Sequence, residues 1–105
     1  MNIEIAQIQK KEDGSFSIWI DGDEGFNEQK FLQLIEPLGI SKNERVFSSF
    51  GPAQFIDEIH TKHGVFNLSQ EFDEFAGTTI YSESHGLMEN IFNIMVNSGQ
   101  YHARK

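Results

Sequence analysis

The start of the chain predicts a β-hairpin with one apolar face, and this feature limits the protein to folds that contain a sheet. Isoleucines recur at near-alternate positions over residues 2–10, which is the spacing of a half-buried strand. The next run alternates in the same way, at Phe16, Ile18 and Ile20. Asp13-Gly14 lies between the two runs, and glycine accepts the positive φ that a tight turn requires.

Two helices are predicted from residues that begin and end them. Asn27 is suited to cap the first helix, because its side chain can accept a hydrogen bond from a free backbone N–H. Pro37 and Gly39 end that helix. Ser84 caps a later helix over residues 85–97, where apolar side chains recur at helical spacing.

A further helix is predicted between these two. Gly51-Pro52 places proline in the first turn of this helix, where a backbone N–H would have no partner within the helix, so the N–H that proline lacks is not needed. Apolar residues line one side of this helix, namely Ala53, Phe55, Ile56 and Ile59. Gly64 follows as the residue that ends it.

The remaining apolar runs predict strands over residues 44–50, 65–68, 71–75 and 78–82. The element order is then ββα(β)αβββα, with hairpins rather than regular βαβ alternation. This order predicts an α+β fold, in which helices pack mainly on one face of an antiparallel or mixed β-sheet. At 105 residues the chain is expected to form a single domain, residues 1–105.

The charge and composition of the chain narrow its classes of partner. Sixteen acidic residues against eight basic ones give a net charge of −8. Nucleic acids and anionic membranes are not expected partners, because both attract basic surfaces. The negative electrostatic field of this protein favours cationic partners instead. The absence of cysteine excludes disulfides, zinc thiolate sites and thiol nucleophiles. No basic segment followed by an apolar run opens the sequence, so a bacterial-type cytoplasmic location is expected.

Two groups of residues carry possible metal ligands, but neither has the spacing or the number of ligands that a metal site needs. Counted from Asp21, a calcium-binding EF-hand needs an oxygen ligand at position 5 and glycine at position 6, but Gly25 and Phe26 stand there. His60 and His63 are three residues apart, and zinc needs three or four protein ligands. No metal or other cofactor is therefore predicted.

No motif for catalysis is visible. Residues 48–51 do not form the G-x-S-x-G turn of hydrolases, and the closeness of Ser82 and His85 in sequence does not give the geometry of a triad. The glycines form neither a dinucleotide fingerprint nor a phosphate-binding loop. The protein is therefore not expected to be an enzyme, and a metal-dependent enzyme that uses His60 and His63 is the least favoured alternative.

Acidic residues cluster in two parts of the chain that also carry aromatic residues. Residues 12–28 contain six acids and no base, and residues 57–89 contain seven acids and one base. Aromatic anchors with a charged rim are typical of protein interfaces, although the pattern leaves open whether Phe72 and Phe75 belong to the core. The predicted partner-binding residues are Asp21, Asp23, Glu24, Glu71, Phe72, Asp73, Glu74 and Tyr81.

The stretches DGDEGF and QEFDEF, in a small acidic chain without cysteine, resemble the immunity proteins of bacterial contact-dependent growth inhibition and related polymorphic toxin systems. The resemblance implies a protein that binds and neutralises one cognate toxin domain, often a basic nuclease. Phe72 and Tyr81 are then the expected apolar anchors. The alternative is a structural or adaptor subunit of a bacterial complex, or a small regulatory domain. The oligomeric state is not predicted.

Overall fold

A mixed sheet of eight strands with helices on one side forms the part of the chain that the computed structural model describes, residues 3–21, 26–48, 54–71 and 77–104. The predicted α+β class is therefore confirmed. The strands are β1 (Ile3–Ile5), β2 (Gln9–Lys10), β3 (Phe16–Asp21), β4 (Lys42–Ser48), β5 (Gln54–Thr61), β6 (Gly64–Glu71), β7 (Gly77–Ser82) and β8 (Tyr101–Ala103). The α-helices are α1 (Glu28–Leu34) and α2 (His85–Asn97), and Glu36–Leu38 forms a 3₁₀ turn.

The strands lie side by side in the order β4-β5-β6-β7-β3-β1-β8, and β2 also pairs with β3. All of these pairs are antiparallel except β1 with β8, which is parallel. Strands β4 to β7 therefore form an antiparallel meander, β3 pairs antiparallel with β7 at its side, and a single parallel pair makes the sheet mixed.

The predicted N-terminal hairpin is confirmed, with an irregularity in its first strand. Ile5 pairs with Ile20 and Gln9 pairs with Ser17, so four steps along the first strand match three along the second. One extra residue is accommodated between β1 and β2, as in a β-bulge. At the tip, Gly14 has the predicted positive φ, +91°, and its N–H donates to the Lys11 carbonyl at 3.0 Å.

Both capped helices are confirmed. The Asn27 side chain accepts a hydrogen bond from the Lys30 N–H at 2.9 Å, and the Ser84 hydroxyl accepts one from the Leu87 N–H at 3.2 Å. The first helix ends earlier than predicted, since the 3₁₀ turn that contains Pro37 follows it. Gly39 follows this turn and has a φ of +76°, a conformation that glycine adopts without steric cost.

The helix predicted from residue 51 is wrong, because residues 54–61 form strand β5. Its backbone pairs with β4 on one side and β6 on the other. Phe55 and Ile59 share a face in either a helix or a strand, but strand spacing moves Ile56 to the opposite face and places Asp57 between Phe55 and Ile59 on the buried face. Arg45 on the neighbouring strand neutralises that carboxylate, which removes the main cost of burying it. The proposed helix start at residues 51–53 lies outside the described residues.

Strand β8 was not predicted from the sequence. It pairs in parallel with β1, with Ile3 opposite Tyr101 and Ile5 opposite Ala103. The Tyr101 side chain is buried, and Arg104, just beyond the strand, forms an ion pair with Glu4. The basic tail therefore completes the sheet.

The core lies between the helices and one face of the sheet. Strands contribute every second residue to it, as at Ile18 and Ile20 of β3 and at Phe66 and Leu68 of β6. The helical layer contributes the apolar side chains that face these strands, which are Phe31 of α1, Ile35 just after it, and Leu87, Met88, Ile91 and Met95 of α2. Within the described ranges, neither helix has the length and apolar character required to cross a membrane.

Gly77 and Trp19 form a close contact on the other face of the sheet. The two strands that carry them are paired, with Trp19 opposite Thr79 and Asp21 opposite Gly77. A Cβ atom added at Gly77 would overlap the indole ring of Trp19. The absence of a side chain at Gly77 thus leaves room for the ring.

We expect the Gly77→Ala variant to lose about 1–3 kcal/mol of unfolding free energy, the usual cost of overpacking a filled site. Trp19 is the sole tryptophan, so displacement of its ring should also change the fluorescence spectrum of the folded protein. Urea unfolding followed by fluorescence measures both effects.

The matched control is Gly86→Ala in α2, where an added Cβ meets no atom within 4 Å. This variant should gain up to about 1 kcal/mol, because alanine is the better helix former. Equal unfolding free energies and unchanged fluorescence for Gly77→Ala and the parent protein would contradict the proposed contact.

Candidate functional site

The sheet face opposite the helices is the candidate site, and we call it the open face. Its centre consists of two adjacent rows of residues across β3, β7, β6 and β5. The rows are Ser17, Tyr81, Asn67 and Glu58, and Trp19, Thr79, Ser69 and Ile56. Within the described ranges, both α-helices pack on the other side, so the strand alternation that builds the core also presents these side chains away from it.

Apolar groups are exposed on this face. Trp19 keeps 37% of its surface in contact with solvent and Val65 keeps 39%. Tyr81 and Ile56 are half-buried. Isolated exposed apolar residues are common on protein surfaces, but several on one sheet face are typical of binding surfaces.

Two shallow grooves run along the open face on either side of Tyr81. One has a volume of about 430 Å³ and is bounded by Asp13, Ser15, Val65, Asn67 and residues 82–84. The other has a volume of about 520 Å³ and is bounded by residues 11–13, Ser15, Ser17 and Thr79. The turn between β2 and β3 therefore borders both grooves, together with Tyr81.

The carboxylate of Asp13, at this end of the face, is held by local hydrogen bonds. Asp13 Oδ1 accepts from the Ser15 hydroxyl at 2.7 Å and from the Ser15 N–H at 2.9 Å. These two bonds, the hydroxyl first, lower the pKa of Asp13 below its ordinary value, so Asp13 is ionised at neutral pH. Burial raises the pKa of the Tyr81 hydroxyl, so Tyr81 stays neutral.

The structure brings some of the predicted partner-binding residues together. Asp21 and Glu71 lie in one row, each paired with Gly77 from opposite sides. Asp21 and Glu71 are the last residues of β3 and β6, so these two strands end at the same end of the sheet. Tyr81 lies on the open face, as a partner contact requires. The others, Asp23, Glu24, Phe72, Asp73 and Glu74, lie outside the described residues.

The histidines do not assemble a metal site within the described ranges. His60 lies on β5 and contacts Glu58, with 2.7 Å between Nε2 and Oε1. Asp57 points to the helix-covered face, so the strand separates it from that pair, and His63 lies in the exposed turn after β5. No group of three or more metal-ligating side chains occurs among the described residues.

A second cluster of charged groups, which the sequence did not reveal, lies on the helix-covered face at β4 and β5. Arg45 Nε donates to Asp57 Oδ1 at 2.8 Å, and a second bond of 3.4 Å joins Nη2 to Oδ2. Only 5% of the Asp57 surface is exposed. The guanidinium also lies 4.3 Å from the centre of the Phe55 ring, which is within cation–π range.

Glu28, the first residue of α1, completes this cluster. One of its carboxyl oxygens, Oε1, is buried and has no hydrogen-bond partner among the described residues. Burial raises the pKa of Glu28 to about 7, and the neighbouring Asp57 carboxylate acts in the same direction by hydrogen bonding and repulsion. Burial also raises the pKa of Asp57, but hydrogen bonds from Arg45 and Glu28 outweigh it and leave that pKa below its ordinary value.

The alternation of residues 54–61 was the signal that could have found this cluster. Read as a strand, it places Asp57 on the apolar face and predicts a basic partner for it. If the segment were a helix, Asp57 would lie on the solvent side and would need no basic partner.

Comparisons of this chain with protein families, with curated proteins and with solved structures each found no match. The ligand of the open face is therefore inferred from the chemistry of its own residues.

We expect the stability of the protein to fall as the pH rises from 4.5, the ordinary pKa of Glu28, through about 7. Within this window the folded state binds more protons than the unfolded state, so unfolding becomes more favourable as the pH rises. The Glu28→Gln variant, which keeps a hydrogen-bond donor beside Asp57, should lose this part of the pH dependence and exceed the parent in stability above pH 7. Urea unfolding across this pH range measures the effect.

Glu36→Gln is the control, because Glu36 is exposed in the adjacent 3₁₀ turn. Its pH profile should follow that of the parent. A Glu28→Gln profile that also follows the parent would show that Glu28 does not hold its proton in the folded state.

Proposed function

We propose that this protein is a bacterial toxin-immunity protein, which binds a cognate basic toxin domain of nuclease type in the cytoplasm and neutralises it. The observation that carries this proposal is the open face, where exposed apolar side chains lie among carboxylates on a sheet. The interface consists of that face and of the acidic segments that begin at Asp21 and Glu71.

The apolar centre of the face supports a protein partner. Trp19 is exposed and lies against the backbone at Gly77, so it presents a wide and well-supported surface. Tryptophan and tyrosine are enriched among residues that dominate binding energy, because they bury a large area at little cost in side-chain entropy. Trp19 and Tyr81 are therefore the proposed anchors.

The charge of the protein supports a basic partner. The net charge is −8, and Asp13, Glu58 and Glu83 add carboxylates around the apolar centre. Asp21 and Glu71 lie at the opposite end of the face from Asp13, and the sequence that follows each of them is rich in acids. Opposite potentials accelerate association and exclude partners of like charge.

A nuclease fits this description because its substrate is a polyanion. Its active-site cleft needs basic residues to bind phosphates, and an acidic protein surface can occupy the same residues. Binding of this kind blocks the cleft and needs no chemistry from the inhibitor. Fast association also limits the time during which free toxin can act on nucleic acid.

The test uses the toxin domain encoded beside the gene for this protein. The double variant Asp21→Asn/Glu58→Gln should lower the association rate about 3- to 10-fold and flatten its dependence on salt, because two steering charges are removed. The matched control is Glu36→Gln/Glu89→Gln, which removes the same charge from exposed positions on the helical elements. Stopped-flow association kinetics at several salt concentrations provide the measurement.

Equal effects of the two double variants would show that attraction is due to net charge alone and would remove the open face from the interface. If the purified toxin domain neither binds nor is inhibited, the immunity function is wrong. Self-association of the protein without any foreign partner would then favour a structural subunit.

We also expect Trp19→Ala to weaken toxin binding by at least about 30-fold, the loss that corresponds to 2 kcal/mol for an interface anchor. Most of the change should appear in the dissociation rate. The control is Phe92→Ala on α2, a half-buried aromatic on the helical side of the protein, which should affect stability more than affinity. Isothermal titration with folded variants measures the difference, and unchanged affinity for Trp19→Ala would exclude Trp19 as an anchor.

A further inference from the structure

We infer that the groove bounded by Asp13, Val65, Tyr81 and Glu83 is a socket for one arginine side chain of the basic partner. This inference rests on the proposed function for the identity of the partner, but the chemistry of the socket can be tested alone. The groove lies between the β2–β3 turn and the start of α2, and its volume of about 430 Å³ falls within the range of side-chain and small-ligand sites.

The charges that border this groove are acidic. Asp13 and Glu83 are its charged residues within the described ranges, and both are exposed. The N-terminus of α2 contributes an opposing partial charge of roughly +0.5, which two full carboxylate charges exceed. The groove therefore favours a cation over an anion.

The uncharged walls match the rest of an arginine side chain. Val65 and the Tyr81 ring provide apolar surface for its methylene groups, which commonly pack along such surfaces while the charged end stays wet. A guanidinium stacks on aromatic faces and donates in a planar fork to carboxylates. The aromatic ring beside two carboxylates thus favours arginine over lysine.

The walls are fixed before a partner binds. The Ser82 hydroxyl donates to the Val65 carbonyl at 2.6 Å and accepts from the Ser84 N–H at 3.1 Å. Ser84 in turn caps α2. Asp13 is held by its two hydrogen bonds from Ser15. Such preorganisation lowers the entropic cost of binding.

The experiment uses n-butylguanidinium as the probe. The matched control ligand is n-butylurea, which has nearly the same shape and no charge. Both are titrated into the isotopically labelled protein, and amide chemical shifts are followed by NMR. We expect saturable shifts with n-butylguanidinium in the millimolar range, a typical affinity for so small a ligand. The shifts should centre on Asp13, Ser15, Asn67, Tyr81 and Glu83, and they should weaken as salt is added.

Two variants locate the socket, and a third serves as the control. Glu83→Gln and Tyr81→Leu should each weaken probe binding about 3- to 10-fold, in line with the loss of one charge or one cation–π contact. Glu89→Gln removes the same charge from α2 outside the groove and should leave probe binding unchanged. Thermal unfolding verifies that each variant is folded, and Glu83→Gln, at an exposed position, keeps the test decisive if Tyr81→Leu does not fold.

The inference is overturned if n-butylurea shifts the same residues equally, if no saturable shift appears in the groove, or if Glu89→Gln acts like Glu83→Gln. The outcome of the toxin-binding experiment does not depend on the outcome of the n-butylguanidinium titration. Probe binding without toxin binding refutes the proposed function and leaves a cation-binding groove. Toxin binding without any probe binding refutes the socket alone.

Discussion

The register between β3 and β7 is the constraint on which the rest of the structure depends. It places Ile18 opposite Ile80 beneath the helices and Ser17 opposite Tyr81 on the other face. A slip of β7 by one residue would turn its side chains to the opposite faces, burying Tyr81 and exposing Ile80. The same pairing therefore defines both the hydrophobic core and the candidate binding surface.

The open face has its present character because strand alternation separates two kinds of polar group. Asp57 lies on the helix-covered face, where Arg45 forms an ion pair with it and Glu28 donates a hydrogen bond to it. Glu58, the next residue, lies on the open face beside His60. These two adjacent acidic residues thus have different roles: Asp57 belongs to a buried network of charges, and Glu58 belongs to the proposed interface.

Local signals in the sequence were sufficient for the hairpin and for both α-helices. Asp13-Gly14, Asn27 and Ser84 act through bonds to residues a few positions away, so their effects can be recognised without the fold. The prediction of a helix at residues 54–61 is wrong because Phe55 and Ile59 share a face in either a helix or a strand, and the choice depends on pairing with β4 and β6. Strand β8 was missed because three residues carry little pattern and their partner, β1, is distant in sequence.

For the candidate site, the sequence predicted an acidic and aromatic surface and included Tyr81. It did not predict the grooves, because they form where the β2–β3 turn meets the start of α2. It also placed no emphasis on Trp19, whose exposure follows from its register beside Gly77. These features depend on which strands are neighbours, and a single sequence contains no direct record of that.

The parallel pairing of β1 with β8 has a consequence for the order of folding. Ile3 meets Tyr101, so this contact closes a loop that includes nearly every other described element. Loop closure of that length is entropically costly, and topologies rich in such contacts fold slowly, in milliseconds to seconds. The meander of β4 to β7 and the hairpin of β1 to β3 can each form from strands that are neighbours in sequence, whereas the pairs β3–β7 and β1–β8 join distant parts of the chain. Until β8 pairs, one edge of β1 has no partner among the described strands. The edge of β1 is therefore open to intermolecular pairing during folding until β8 covers it.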